Sequence, residues 1–159
     1  MKDIKKQFFN IYNLKKMILT KQEFENQFKK AKLELLSNQK FKFNKIEKWC
    51  ESLQPLPGIY GIFIDNDLKY IGETANFKAR MQELHKTYNH SFRRKLGRSL
   101  NGTLVKNIYH PDIEKQLDDI FEKSLSVSFV HMNYGRLEME TKLITELQNS
   151  LFNSIKLRK

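Results

Sequence analysis

The chain of 159 residues contains a single cysteine, Cys50, and only three prolines. One cysteine cannot form an intrachain disulfide, a zinc knuckle or a CxxC redox pair, and we therefore expect a reducing, cytoplasmic compartment. No apolar run approaches the roughly 20 residues that span a bilayer. Residues 1–22, whose apolar positions are interrupted by Lys and Asn, are not expected to be a signal peptide. The sequence predicts no membrane partner.

Acidic residues are also scarce, 18 against 29 basic residues, and the formal net charge is +11. The excess is concentrated in residues 76–106, which contain eight Lys or Arg and one acid, Glu83. A cationic segment of this kind suits a phosphate backbone, and a solvated helix face is the alternative. The candidate nucleic-acid-binding residues are Lys78, Lys86, Arg93, Arg94, Lys95 and Arg98.

A proline-rich spot at residues 54–58, QPLPG, indicates a boundary between two regions. Residues 1–54 contain 13 basic and six acidic groups and are predicted to form a helical basic extension. Residues 55–159 are predicted to form the second domain, because β-branched and aromatic residues first become dense after the boundary.

Three helices are predicted in the extension. One covers about residues 4–18. The second begins at a capping box, Thr20-x-x-Glu23, and the third follows the similar pattern Asn44-x-x-Glu47.

The second domain has the pattern of an α+β fold. Two strand-like runs around Asp65-Asn66-Asp67 predict an antiparallel hairpin, and amphipathic segments follow. We predict a small three-stranded antiparallel sheet flanked by helices, in the order β-β-α-α-α-β-α. The predicted strands cover 58–64, 68–74 and 126–132, and the predicted helices cover about 76–88, 90–100, 112–124 and 136–149.

Two tripeptides in the hairpin carry a family resemblance. Gly58-Ile59-Tyr60 lies in the first strand and Tyr70-Ile71-Gly72 in the second, with ten residues from Tyr60 to Tyr70. Either tripeptide alone is a weak signal. Together, in order and in adjacent strands, they resemble the signature of the GIY-YIG nuclease family.

Further positions agree with this resemblance, which covers about residues 57–154. Arg80 follows Tyr70 by ten residues, where the family has an arginine. Glu140, followed by Leu143-Ile144, resembles the family's metal-binding glutamate, and Phe152-Asn153 resembles its aromatic-Asn pair. The resemblance implies a GIY-YIG fold with the site residues Tyr60, Tyr70, Arg80, Glu140 and Asn153.

The residues themselves also single out Glu140 and Arg80. Glu140 lies in an apolar stripe with Leu137, Ile144, Leu147 and Leu151, where a carboxylate is costly unless it is paired or binds a metal. Arg80 is predicted to face inward and to need an anion, either Glu140 or a phosphate. A buried salt bridge and a structural ion pair are the respective alternatives.

The general base is not determined by the pattern. Many family members carry His or Tyr four residues after the arginine, where this chain has Leu84. His85 is one step out of helical register, about 100° around the helix. His90 is a second candidate, which would reach the site from a loop.

The resemblance implies one-metal hydrolysis of a phosphodiester. Glu140 would hold Mg²⁺ or Mn²⁺ and Arg80 would contact the phosphate. Tyr60 would orient or deprotonate the attacking water, Tyr70 would bind the water or phosphate, and Asn153 would brace the site. We expect a metal-dependent endonuclease that acts on double-stranded DNA, restriction-type and homodimeric. The alternatives are a mobile-element or repair-type nuclease and an inactive nucleic-acid-binding module.

Overall fold

The computed structural model describes residues 20–44 and 47–153, without the side chains of residues 47 and 48. The chain divides into two compact units, residues 1–31 and 32–159. Among the described residues, no helix is both long and apolar enough to cross a membrane.

The first described helix, α1, covers Lys21–Ser37 and begins at the predicted capping box. The Thr20 backbone N–H donates to Glu23 Oε2 at 2.7 Å, and the Glu23 N–H donates to Thr20 Oγ1 at 3.2 Å. This reciprocal pair satisfies two N–H groups that a helix start otherwise leaves without partners. The predicted third helix is a short helix, α2, at Glu47–Glu51. The helix predicted at 4–18 lies outside the described residues.

The predicted hairpin is confirmed. Strand β2 covers Gly58–Ile64 and strand β3 covers Asp67–Thr74, paired antiparallel. Asp65 and Asn66 connect them with φ angles of 49° and 69°. Two consecutive left-handed residues form the turn whose twist matches a two-residue hairpin, and Asp and Asn tolerate that conformation well.

The sheet has four antiparallel strands, not the predicted three. Strand β4, Leu125–His131, pairs with β2, and a two-residue strand β1, Phe41–Lys42, pairs with β4. The order is β1-β4-β2-β3. Strand β1 has only two residues, and both are exposed, so the sequence contains no alternating pattern that would indicate it. The segment predicted as a helical extension therefore also supplies an edge strand.

The remaining helices follow the predicted order, which confirms the α+β arrangement after Pro57. One of them, α3, is much shorter than predicted, and α6 ends in a short 3₁₀ turn at Gln148–Ser150. The four helices are α3 at Phe77–Gln82, α4 at Ser91–Ser99, α5 at Pro111–Ser124 and α6 at Arg136–Leu147.

Helix α3 ends early because the chain after it continues in tighter turns. Backbone N–H groups bond to the carbonyl three residues earlier, as in Leu84 to Met81 at 3.2 Å. Burial then recurs every third residue, at Met81, Leu84, Thr87 and His90, which is the periodicity of a 3₁₀ helix. The predicted α-helical period would have buried Tyr88, which is instead 52% exposed.

The core lies on both faces of the central strands. Six consecutive residues of β2, from Gly58 to Phe63, are buried. Tyr60 and Ile62 pack in one cluster with residues of α4 and α5, among them Phe92 and Phe121. Alternate side chains of a strand point to opposite faces, so only a covered sheet can bury such a run.

Candidate active site

The hydroxyl of Tyr60 is the centre of a buried polar group. The Nε–H of Arg80, from α3, donates to this hydroxyl at 3.1 Å, and Nε2 of His90 lies 3.2 Å from it. Tyr60 is 1% exposed and His90 is fully buried. Three elements, β2, α3 and the turn before α4, therefore converge on one phenol oxygen.

His90 is also the N-cap of α4, and this second role determines its tautomer. Its Nδ1 accepts the backbone N–H of Phe92 at 3.2 Å, so Nδ1 carries no proton. The ring proton is then on Nε2, which donates to Tyr60. Burial holds the pKa of His90 well below its usual range, and the positive charges of Arg80 and Arg94 act in the same direction.

His90 is therefore a neutral hydrogen-bond donor in this structure. One of its ring nitrogens accepts from the backbone and the other donates to Tyr60. The predicted role of general base would need a nitrogen that can take a proton from water, and the geometry assigns both nitrogens elsewhere. His85, the other candidate, lies half-buried in the turn segment after α3, and the histidine that contacts Tyr60 is His90.

The Tyr60 oxygen thus receives two hydrogen bonds, one from Arg80 and one from His90. Burial raises the pKa of Tyr60, the neighbouring Tyr70 and Glu140 raise it further, and Arg80 opposes them. The side chain is consequently a neutral phenol at physiological pH. Two donors are nonetheless placed on the oxygen where negative charge would develop if the proton left.

Tyr70 lies beside Tyr60, with their ring centroids 6.3 Å apart in a stacked arrangement. Its hydroxyl is 2.7 Å from Oγ of Ser91, the first residue of α4. Sequence reasoning did not select Ser91, although it directly follows His90 in the turn that begins the basic helix. The start of α4 thus contacts both tyrosines.

Gly72 is required by the position of the Tyr60 ring. A Cβ built on Gly72 would lie 2.4 Å from both Cζ and the hydroxyl oxygen of Tyr60. Gly72 and Tyr60 are direct partners across the hairpin. The glycine of the second tripeptide therefore leaves room for the phenol of the first, which is a steric reason for the paired signature.

Glu140 is half-buried on α6, but the apolar stripe around it differs from the prediction. The buried residues of the helix are Met139, Leu143 and Ile144, whereas Leu137 is 37% exposed. The buried face is thus centred one step from the predicted stripe. Leu151, also predicted in the stripe, lies beyond the end of the helix.

The charge of Glu140 nevertheless acts on the same site. It contributes to the raised pKa of Tyr60 and of Tyr70. Burial lowers the pKa of Arg80, but the two tyrosines and Glu140 together raise it by more. We call this group the tyrosine cluster, and it consists of Tyr60, Tyr70, Arg80, His90 and Glu140.

The tyrosine cluster offers one carboxylate to a metal ion. In the part of the chain that the structure describes, no group of three or more His, Cys, Asp or Glu side chains could hold a metal. Mg²⁺ does not require such a group, since it often keeps several waters and binds one or two carboxylates together with substrate phosphates. Glu140 fits that mode of binding, because its carboxylate oxygens are hard donors of the kind that Mg²⁺ prefers.

Asn153 braces the free edge of β3. Its Oδ1 accepts the N–H of Ile71 and its Nδ2 donates to the Ile71 carbonyl, both at 2.8 Å. The N–H of Phe152 donates to the Lys69 carbonyl at 2.7 Å. The side-chain amide imitates a further strand beside Tyr70 and so fixes the edge on which that tyrosine lies.

Two of the predicted nucleic-acid-binding residues have partners within the fold. Arg93 is 2% exposed and pairs with Glu114 at 2.7 Å and Asp118 at 3.0 Å, so it is not available to a phosphate backbone. Lys95 donates to the Phe152 carbonyl at 2.8 Å and ties α4 to the segment that braces β3. Adjacent positions on a basic helix face different surroundings, which composition alone does not distinguish.

The other basic candidates lie where solvent can reach them. Arg98 is exposed, and Lys78, Lys86 and Arg94 are half-buried. Lys86 pairs with Glu83 at 3.0 Å. Arg94 donates to the Tyr88 carbonyl at 2.9 Å, and its charge acts on the pKa of His90, which places it at the rim of the tyrosine cluster.

No family model, curated protein or solved structure matches this chain.

Proposed function

We propose that the protein is a metal-dependent DNA endonuclease with a GIY-YIG type of catalytic domain. The observation that carries the proposal is the Tyr60 hydroxyl, which accepts a hydrogen bond from Arg80 while the tautomer of His90 makes it a second donor. Burying an arginine against a neutral phenol stabilises a fold poorly, because the phenol does not balance the charge. Such an arrangement is better suited to an anion that binds beside it.

Arg80 has the chemistry to bind a non-bridging phosphate oxygen. It is half-buried, and its hydrogen bond to Tyr60 uses Nε and leaves the two Nη groups for other partners. A guanidinium in a partly desolvated site stabilises the charge that develops on a phosphate in the transition state. Tyr70 and Ser91, joined by a hydrogen bond, add two hydroxyl groups to the cluster.

Tyr60 would orient the attacking water, and it would accept a proton from that water as the phenolate, after its own proton has passed to solvent. In the free chain the raised pKa keeps Tyr60 protonated. Mg²⁺ or Mn²⁺ held by Glu140 would supply the positive charge that stabilises the phosphate and favours ionisation nearby. The donors on Tyr60, Arg80 Nε–H and His90 Nε2–H, would then stabilise the phenolate, which is the role that we assign to His90 in place of general base.

The exposed part of the basic surface supports DNA as the substrate. Arg94 and Arg98 lie on α4, whose first turn contacts the tyrosines, so a backbone bound along this helix would approach Arg80. Such contacts position a duplex without selecting a sequence. We propose double-stranded DNA as the substrate and a homodimer as the form that cuts both strands, as in restriction-type enzymes.

The proposal is tested by incubating supercoiled plasmid with the protein and Mg²⁺ or Mn²⁺. We expect nicking or linearisation that Glu140→Gln lowers by about 100-fold or more. Glu138→Gln, an exposed glutamate of the same helix, is the matched control and should cleave like the parent protein. Glu140→Gln should still retard DNA in a gel.

Two outcomes would contradict the proposal. Equal nicking by the parent and by Glu140→Gln would place the activity elsewhere. DNA binding with no cleavage under either metal would favour an inactive nucleic-acid-binding module, the alternative that the basic helix α4 supports. Sequencing the ends of any product would then separate a restriction-type enzyme from one that nicks a single strand.

A further inference from the structure

A second polar group lies next to the tyrosine cluster, around the carboxylate of Glu114 in the first turn of α5. Thr87 Oγ1 donates to this carboxylate at 2.8 Å and Arg93 Nη2 at 2.7 Å. The backbone N–H of Tyr109 donates to it at 2.9 Å. We call this the carboxylate cluster, and it consists of Thr87, Arg93, Glu114 and Asp118.

The side chains that Glu114 holds bracket His90 in the chain. Thr87 is three residues before His90 and Arg93 is three residues after it. These two side chains are joined directly, because Arg93 Nε donates a hydrogen bond to Thr87 Oγ1 at 2.9 Å. Thr87 is 3% exposed and Arg93 is 2% exposed, so both side chains are fixed in the interior.

The segment that carries His90 has little regular structure of its own. Between the end of α3 and the start of α4 the backbone makes single turns, such as Lys86 to Glu83 at 3.0 Å and Asn89 to Lys86 at 3.1 Å. Isolated turns of this kind are weak, and side-chain anchors then decide where the segment lies. Thr87 is the anchor at its middle.

We propose that Glu114 is a positioning residue that holds His90 against the hydroxyl of Tyr60. Its effect on DNA cleavage rests on the proposed function, whereas its effect on His90 does not. Among the described residues, the side-chain hydrogen bonds of Glu114 go to Thr87, Arg93 and Tyr109, none of which belongs to the tyrosine cluster. Glu114 acts by fixing Thr87 and Arg93, and these set the turn in which His90 caps α4 and donates to Tyr60.

The electrostatics of Glu114 agree with this arrangement. Burial alone would raise the pKa of Glu114, but the hydrogen bonds from Arg93, Tyr109 and Thr87 lower it. The carboxylate is therefore charged at neutral pH and can accept all of its donors. Glutamine at this position would keep the shape but would offer one acceptor oxygen in place of two.

The test is the ring tautomer of His90, measured by ¹⁵N nuclear magnetic resonance on the folded protein without DNA. The signals are assigned with His90→Asn. In the parent protein we expect the single Nε2–H form, and in Glu114→Gln a mixture of both tautomers. Glu122→Gln is the matched control, because Glu122 is an exposed glutamate of the same helix outside the carboxylate cluster, and we expect it to keep the single form.

A second pair of variants keeps the test decisive if Glu114→Gln does not fold. Thr87→Val removes the hydroxyl that joins the turn to Glu114, and Thr87→Ser retains it. We expect mixed tautomers in the first and the parent tautomer in the second. If all variants lower the melting temperature but leave the His90 tautomer unchanged, Glu114 is only a stabilising ion-pair partner and the inference is wrong.

Cleavage kinetics add a separate measurement. For Glu114→Gln and Thr87→Val we expect kcat to fall about 10-fold to 100-fold with little change in KM, because a displaced group costs rate more than binding. A parent protein that cleaves no DNA would refute the proposed function and leave the tautomer result valid. A changed tautomer with unchanged kcat would refute the link between His90 and catalysis.

Discussion

The tyrosine cluster and the carboxylate cluster each contain an arginine, and the two arginines are used differently. Arg93 is 2% exposed and faces two carboxylates, at 2.7 and 3.0 Å. Arg80 is half-buried and donates through Nε to a phenol, a neutral acceptor. The charge of Arg93 is neutralised within the fold, whereas that of Arg80 is balanced only at longer range by Glu140. The difference teaches which arginine is structural and which can attract an anion.

The two clusters are also coupled through the chain. His90 belongs to the tyrosine cluster, while Thr87 and Arg93 on either side of it belong to the carboxylate cluster. The carboxylate cluster is held by several hydrogen bonds and ion pairs, although Nη1 of Arg93 has no hydrogen-bond partner among the described residues, whereas a group with fewer partners can exchange them for a ligand. The carboxylate cluster would therefore hold His90 in place while a substrate binds beside it.

The largest expected effect separates the clusters by stability. Arg93→Ala should lower the free energy of unfolding by about 3 kcal/mol, because it leaves two carboxylates without their cation. Arg94→Ala, at the next position and half-exposed, should cost less than about 1 kcal/mol. Chemical denaturation of both variants measures the difference. Equal losses would mean that the Arg93 pairs contribute nothing specific.

The second effect concerns activity, and here the important arginine should be Arg80 of the tyrosine cluster. Arg80→Ala should lower DNA cleavage by about 100-fold to 1000-fold, since it removes a charge aimed at the phosphate. The control is Gln82→Ala, an exposed residue at the end of the same helix. Single-turnover cleavage and a melting curve on each protein separate chemistry from folding. Loss of activity explained wholly by unfolding of Arg80→Ala would remove the distinction between the two arginines.

A smaller effect tests the packing of Tyr60. Gly72→Ala places a methyl group 2.4 Å from the Tyr60 hydroxyl oxygen, and overpacking of this kind costs about 1 to 3 kcal/mol. The double variant Gly72→Ala with Tyr60→Phe still meets the ring but not the hydroxyl, so it should recover part of the loss. Additive losses, measured by denaturation, would show that the hydroxyl is not in contact with residue 72.

The smallest effect is a dependence of stability on pH. The pKa of His90 is depressed in the folded chain, so between that value and about 6.5 the unfolded chain binds the additional proton. Stability should therefore fall as pH is lowered through about 6.5, by at most about 1.4 kcal/mol per pH unit from this residue. His90→Asn retains a residue that can cap α4 and should reduce the slope. An unchanged slope would mean that the pKa of His90 is not depressed in the folded chain.

Local sequence patterns predicted most of the fold. The capping box at Thr20 and Glu23, the hairpin around Asp65 and Asn66, and the order of elements after Pro57 depend on interactions between near neighbours, and the structure has all of them. Strand β1 was missed because it exists only through pairing with Val127 and Ser126. The short α3 was missed because burial against distant elements selected a three-residue period.

The site shows the same division. The resemblance of the two tripeptides and their spacing to a family signature selected Tyr60, Tyr70, Arg80 and Glu140, and the structure brings their charges and hydroxyl groups together. The sequence left open which histidine contacts Tyr60, because the conformation of the turn after α3 decides whether His85 or His90 reaches it. That winding is set by Thr87 and by Glu114, which is 27 residues further along the chain.

The sequence by itself determined the elements, the hairpin turn and the residue types available for chemistry, since each depends on propensity and short-range bonding. Only the tertiary structure decided that Arg93 pairs directly with two carboxylates whereas Arg80 donates to a phenol, and that His90 donates to Tyr60. The physical reason is that burial and the tautomer of an imidazole depend on groups far apart in the chain, and packing alone brings those groups together.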